Sequence, residues 1–160
     1  MFAVLIRAYR DEDAGPTRAV YERAVHHSAS THYSSKQLDA WAPQADAAAL
    51  VRWAERRAAA QTIVAAEEER VAGFSDLIDG TLLDMLFVDP DFGRRGVGSQ
   101  LVSAVVKLAQ DAGAPHVETH ASLTARPVFE RSGFVVVAEE APVVRGVVLA
   151  NFKMRFYFDS

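Results

Sequence analysis

Residues 88–101 read VDPDFGRRGVGSQL. An apolar strand end runs into a proline, then two arginines, then a G-V-G turn, and an amphipathic helix begins at once. The first turn of any helix offers backbone N–H groups that have no partner within the helix, and its dipole favours negative charge there. Gly96 and Gly98 admit backbone conformations that other residues resist and let a ligand approach those N–H groups closely. Arg94 and Arg95 add positive charge in the same turn, so the stretch reads as an anion cradle suited to a phosphate or diphosphate. It contains no G-x-x-x-x-G-K-[ST] and no complete G-x-G-x-x-G. The bland alternative is a glycine-capped loop with two solvated arginines.

Working outward, residues 81–88 (TLLDMLFV) form the strand that feeds this loop. The Asp79-Gly80 pair before it is a hairpin signal, so this strand should run antiparallel to one over 71–78, itself joined to a strand over 62–66. The charged run 67–70 between those two reads as a solvated hairpin tip. On the other side, 96–112 is helical, with Val97, Leu101, Ala104, Val105 and Leu108 as its apolar stripe. Gly113 and Pro115 end it. A strand over 115–121, a helix to about 131, and strands over 134–138 and 147–158 follow.

Upstream, residues 3–8 predict a strand. Asp11 and Asp13 cap a helix that continues to about 27, with Pro16 in its first turn. A polar stretch then leads to a short helix near 35–41. A further helix over 45–60 carries Leu50, Val51 and Trp53 as its expected anchors. The fold class is α/β, and residues 1–160 read as one domain with neither repeat nor linker.

The composition is that of an ordinary globular chain: 50% hydrophobic, 24% charged, net charge −4. No basic stripe points to nucleic acid. The absence of cysteine removes disulfides, thiolate metal sites and a Cys nucleophile, and it suits a reducing compartment. The apolar run at the N-terminus is too short for a signal peptide, and no stretch reaches the roughly 18 apolar residues of a membrane span. A cytoplasmic protein is the expectation. His26, His27 and His32 lack the spacing of a metal site, since adjacent helical residues point about 100° apart; no metal is expected.

Two stretches together carry a family resemblance. MLFVDPDFGRRGVGSQLV (85–102) resembles motif A of the GCN5-related N-acetyltransferases (GNAT), and ASLTARPVFERSGF (121–134) resembles their motif B. HYSSKQLDAWAP (32–43) and NFKMRF (151–156) resemble the YafP-like bacterial branch, so the likeness spans nearly the whole chain. It implies a mixed, mostly antiparallel sheet with a splayed parallel strand pair and flanking helices. It also implies direct transfer of an acetyl group from acetyl-CoA to an amine of a small molecule or peptide in a ternary complex. Carried over, Leu86, Phe87 and Val88 would line the pantetheine arm. Arg94, Arg95, Gly96, Val97, Gly98 and Ser99 would cradle the diphosphate. Ser122, Ala125 and Phe129 would face the cofactor, with Arg131 near its adenosine end.

The chain departs from the family pattern in places. Gly93 stands at the usual Gln/Arg position and Ser122 at a frequent asparagine. Phe129 occupies the position where many relatives carry a tyrosine acid, and a phenyl ring cannot protonate a departing thiolate. A non-catalytic acyl-CoA-binding or regulatory module is therefore the runner-up, and a nucleotide-phosphate binder is a third reading.

Acetyl transfer to an amine needs a neutral nucleophile, a polarised carbonyl and a proton route. A backbone N–H of Phe87 or Val88 could polarise the thioester. Asp84 is the only charge in TLLDMLFV, and strict alternation sets it on the face of Leu82 and Leu86, so it is the first candidate base. The family's frequent base position falls at Leu82. His120, sharing a strand face with Glu118, is a candidate proton relay. Tyr33 is the candidate substitute acid, with Tyr157 competing. His32, Tyr33 and Trp41 are the candidate acceptor-binding residues, whereas packing is the alternative for each aromatic. The partner expected is the amine acceptor alone, and the chain a monomer or homodimer.

Overall fold

The computed structural model describes residues 3–159; residues 1, 2 and 160, the ends of the expected domain, lie outside the described residues. Strand β1 (Leu5–Ala8) leads to α1 (Ala14–Arg23), which continues through a wide turn (Ala24–Ser28) and a tight one (Ala29–Thr31). Then come α2 (Ser35–Trp41), α3 (Ala47–Ala59), β2 (Gln61–Glu67), β3 (Arg70–Leu77), β4 (Leu82–Leu83) and β5 (Leu86–Val88). Helix α4 (Val97–Asp111), β6 (His116–Ser122), α5 (Arg126–Arg131), β7 (Val135–Glu140), β8 (Val143–Val144), β9 (Val147–Val148) and β10 (Asn151–Tyr157) complete the order.

The strands form two four-stranded sheets, ordered β1-β2-β3-β5 and β4-β6-β10-β7. All pairings are antiparallel except β4 with β6, which is parallel. This is the α/β class expected, with the splayed arrangement that the resemblance implies. Two apolar clusters cover the sheets. In one, the stripe of α4 (Val97, Leu101, Val102, Val105, Ala109) meets Leu83, Phe129 and Met154. In the other, Val20, Tyr21 and Val25 of the first helical run join Trp53, Val64 and Phe74.

Four local expectations need correction. The strand over 81–88 is not continuous. It breaks at Asp84 and Met85, whose N–H groups both donate to the Asp76 side-chain Oδ1 (3.1 and 2.8 Å) instead of to a backbone carbonyl of a neighbouring strand. The polar stretch after about residue 27 begins with a helical turn at Ala29–Thr31, because Ala29 turns inward and is buried. In α3, Leu50 and Val51 are exposed; the inward face runs through Trp53 and Arg57, four residues apart. Residues 143–148 leave the sheet as a separate hairpin, turned by Arg145 and Gly146 at positive φ and tied to α2 by Gln37 Nε2 donating to Val148 O.

Close approach of β3 to β5 requires glycine at 73. A Cβ there would lie 2.8 Å from Phe87 O and 3.1 Å from Leu101 Cδ1. Backbone and a fully buried leucine cannot both yield, so Gly73→Ala is expected to destabilise the protein by about 1–3 kcal/mol, the usual cost of overpacking. Urea unfolding monitored by circular dichroism reads this directly; an unchanged midpoint would show that β5 can move aside.

Candidate active site

The two sheets part company after Leu83 and Thr119, the last residues of the β4–β6 ladder. Beyond that point β5 is an edge strand on one side, and His120–Ser122 form an unpaired edge of β6 on the other. Asp89 N donates to Ala72 O (2.8 Å), which fixes the alternation along β5. Phe87 then directs its N–H and C=O to β3, while Leu86 and Val88 direct theirs into the gap. Of the two backbone groups considered for the carbonyl, only that of Val88 faces the gap.

Two cavities meet in the gap. A groove of about 780 Å³ runs along Leu86, Phe87 and Val88 to Gly93, Arg94 and Gly98, with Ser122, Ala125 and Val128 opposite. A deeper pocket of about 250 Å³ is lined by Asp84, His120, Phe129 and Asn151, among others. Trp41, Leu86, Phe87, Ser122 and Ala125 belong to both.

At the groove's far end Gly96 caps α4 with φ +76°, the left-handed conformation that favours glycine. Arg94 also has positive φ and its side chain lines the groove. Ser99 follows in the first turn, whereas the Val97 side chain is buried in the core. Arg95 pairs with Glu67 and lies 5.1 Å from the Phe92 ring centroid. Arg70 pairs with Asp91 at 2.5 Å and approaches the same ring at 4.9 Å. The charged run 67–70 is therefore no freely solvated tip; its ends brace the loop. Pairs at or near the surface are screened by solvent and add little to stability, so their effect is to position the loop more than to stabilise the fold. Arg131 is exposed at the end of α5 and does not line the groove.

In the deeper pocket, Asp84 is exposed at the wall. His120 Nδ1 is 2.6 Å from Glu140 Oε1, and its Nε2 is 3.8 Å from Glu118 Oε2. Burial works against the Glu118 carboxylate, yet the hydrogen bond from Arg155 prevails and holds its pKa below the usual range. Tyr33 is buried, donates its hydroxyl proton to Ala150 O (2.6 Å) and accepts from Leu123 N (3.0 Å). Burial pushes this phenol's pKa up. Tyr157 is exposed beside His116 and lines neither cavity. His32 is 2.9 Å from Thr124 Oγ1 on the surface and lines neither. Phe129 packs at 5.1 Å against Phe134 in the pocket floor. Among the described residues no group of three or more His, Cys, Asp or Glu could hold a metal ion. No helix among them is long and apolar enough to cross a membrane.

Two residues were missed by sequence reasoning. Asp76, fully buried, holds the break between β4 and β5 and pairs with Arg57 Nη1 at 3.1 Å. It is the only charge in VAGFSDLI, the same signal that singled out Asp84. Asn151 lines the pocket, and its side-chain Oδ1 is buried without a hydrogen-bond partner.

A family model described as an acetyltransferase (GNAT) domain matches residues 29–156. The chain belongs to the GNAT acetyltransferase family. It is 39% identical over 153 residues to YafP of Escherichia coli K12, named an uncharacterized N-acetyltransferase, covering 96% of this chain and 95% of that one. A GCN5-related N-acetyltransferase from Rhodopseudomonas palustris, also named as a class-II aminotransferase, superposes with a TM-score of 0.92. Its identity is 32%, over 99% of this chain and 98% of that one. The fold is shared with yncA of Salmonella typhimurium, solved with its cofactor acetyl-CoA. That match has a TM-score of 0.72 and 20% identity, over 98% of this chain and 95% of that one.

Asp76 generates a pH prediction. Burial outweighs the attraction of Arg57 and raises its pKa to about 6, against about 3.8 for the ordinary group. The folded state thus holds a proton there that the unfolded state has released between those values. The resulting stability is full below about pH 4 and is lost as pH rises through about 6. Relative to Asp76→Asn, the wild type should lose stability across that window, as read by urea unfolding at pH 4.5, 5.5, 6.5 and 7.5. A constant difference would contradict the raised pKa.

Proposed function

We propose that this protein transfers the acetyl group of acetyl-CoA directly to an amine of a small molecule or peptide. The observation that carries the reading is the meeting of the two cavities between the parted strands. One ends at a helix N-terminus, and the other ends among Asp84, His120 and Asn151. The residues present fit the cofactor. Arg94 and the left-handed Gly96 frame a turn open to a diphosphate, and a Cβ at Gly98 would stand 3.4 Å from Val128 Cγ1 in the groove wall. The edges of Leu86 and Val88 offer backbone partners to an amide-bearing arm.

Bound acetyl-CoA would supply an activated acetyl thioester. The chain's own residues do the rest. Arg94 and the first-turn N–H groups of α4 hold the diphosphate, and the Val88 N–H polarises the carbonyl. Asn151, whose Oδ1 lacks a protein donor, forms part of the wall that receives the incoming amine. Asp84 takes the amine proton, directly or through water, and the His120–Glu140 pair carries protons to the surface. The thiolate that would leave as the acetyl group passes from sulfur to nitrogen would take its proton from water. Phe129 cannot donate, and the Tyr33 proton is already committed to Ala150 O. Tyr33 then shapes the pocket, and its use as an acid would require breaking that bond.

Phe129 keeps the non-catalytic acyl-CoA-binding module as the second reading. Thiol release from acetyl-CoA across an amine panel separates the two. Turnover supports the enzyme, and tight CoA binding without turnover supports the module.

Gly96→Asp places a carboxylate in open space beside the diphosphate site and strains a left-handed backbone. It should weaken CoA binding at least ten-fold by calorimetry while circular dichroism stays native; full affinity would defeat the loop assignment. Asp84→Asn should lower kcat at least ten-fold near neutral pH with CoA affinity within two-fold. A variant with the wild-type rate and pH profile would remove Asp84 from the role of base.

A further inference from the structure

Beside the acceptor pocket lies a separate cavity of about 490 Å³ on the surface formed by α1, α3 and the β8–β9 hairpin. It shares Tyr21, Trp41, Met85 and Val144 with the acceptor pocket, so the two are adjoining chambers. Five arginines line it (Arg18, Arg52, Arg56, Arg57 and Arg145) against one carboxylate, Asp46. That concentration is unexpected in a chain of net charge −4.

The charges there are only partly answered by protein groups. Arg57 is balanced by Asp76, and Arg18 by Glu22 at 3.4 Å. Asp46 spends an oxygen capping α3 through Ala49 N. Among the described residues, Arg52, Arg56 and Arg145 have no ion pair. Arg145 is held in place by donating to Ala40 O (2.7 Å). Arg57, with a side chain only 3% exposed, keeps a buried Nε without an acceptor. A buried, unsatisfied guanidinium nitrogen is costly unless a ligand completes it. Trp53 stacks beneath both Arg18 and Arg57, with guanidinium carbons 5.1 and 4.9 Å from its ring, which fixes their orientation.

We propose that the acceptor is an amine carrying an anionic group, a carboxylate or a phosphate, and that this arginine-lined cavity holds the anion while the amine enters the adjoining pocket. The inference rests on the acetyl-transfer reading above. Guanidinium groups match both oxyanions through paired N–H donors, and the shared wall sets how far the amine stands from the charge.

The test compares matched amines on the intact protein. β-Alanine, 4-aminobutyrate and 6-aminohexanoate are set against their amides, and phosphoethanolamine against ethanolamine. Each is measured twice, by thiol release from acetyl-CoA and by calorimetric binding without it. The charged member of at least one pair should show a ten-fold or greater advantage in kcat/KM or affinity. The responding pair tells carboxylate from phosphate. The double variant Arg52→Glu/Arg56→Glu, at two exposed positions of α3, should erase that advantage by raising KM for the charged amine while acetyl-CoA affinity is kept. Equal binding and turnover of charged and neutral members in every pair overturns the proposal, as does a double variant that keeps the preference. A charge preference in binding with no thiol release would instead fault the acetyl-transfer reading and leave the anion site standing.

Discussion

A single buried carboxylate organises the centre of this fold. Asp76 replaces a strand partner for two consecutive N–H groups, so the chain between Leu83 and Leu86 need not continue its ladder. Because those donors are satisfied, β4 can join β6 in parallel while β5 stays antiparallel to β3. The gap between the sheets, and both cavities within it, follow from that divergence. Burying the charge is opposed by desolvation, which is what raises its pKa. The two amide donors and Arg57 only partly offset it. Hydrogen bonds to a charged group contribute roughly 1.5–3 kcal/mol each, enough to hold a local backbone detour that an uninterrupted strand would otherwise win.

The loop end of the groove is organised by different means. Its loop is short, and its shape comes from two residues of positive φ, Arg94 and Gly96. Its anchorage comes from Arg95 with Glu67 and from Arg70 with Asp91. These pairs join the tip of the β2–β3 hairpin to the loop, so residues that look like solvent-facing charge hold the first turn of α4 against the sheet. The buried Phe92 ring, approached by both guanidiniums, adds an apolar anchor.

How much of this was legible varied with the physics. Helix α4, the Asp79-Gly80 turn and the glycine loop are local features, and the sequence states them directly. Leu86, Phe87, Val88, Arg94, Gly98, Ser122 and Ala125, singled out from the sequence, do line one groove, whereas Arg95, Val97 and Arg131 do not. The broken strand was not legible, because its cause lies on another strand: Asp76 acts on Asp84 and Met85 across the sheet, and no periodicity within 81–88 records that. The same limit applies to α3. Trp53 was readable as an anchor, but the inward Arg57 was not, since its burial depends on a distant carboxylate. Tyr33 illustrates the converse. Its type and region drew notice as an acid, while the backbone groups that engage its hydroxyl, at Leu123 and Ala150, come from the far end of the chain.

Trp41 stands where all three chambers touch: the long groove beside β5, the pocket of Asp84 and Asn151, and the arginine-lined cavity. Its ring lies 5.4 Å from that of Tyr33 and 6.0 Å from that of Phe87, so it has little room to turn without displacing a neighbour. One indole therefore acts as a common partition. The size and orientation of that single side chain thus set the shape of all three chambers at once.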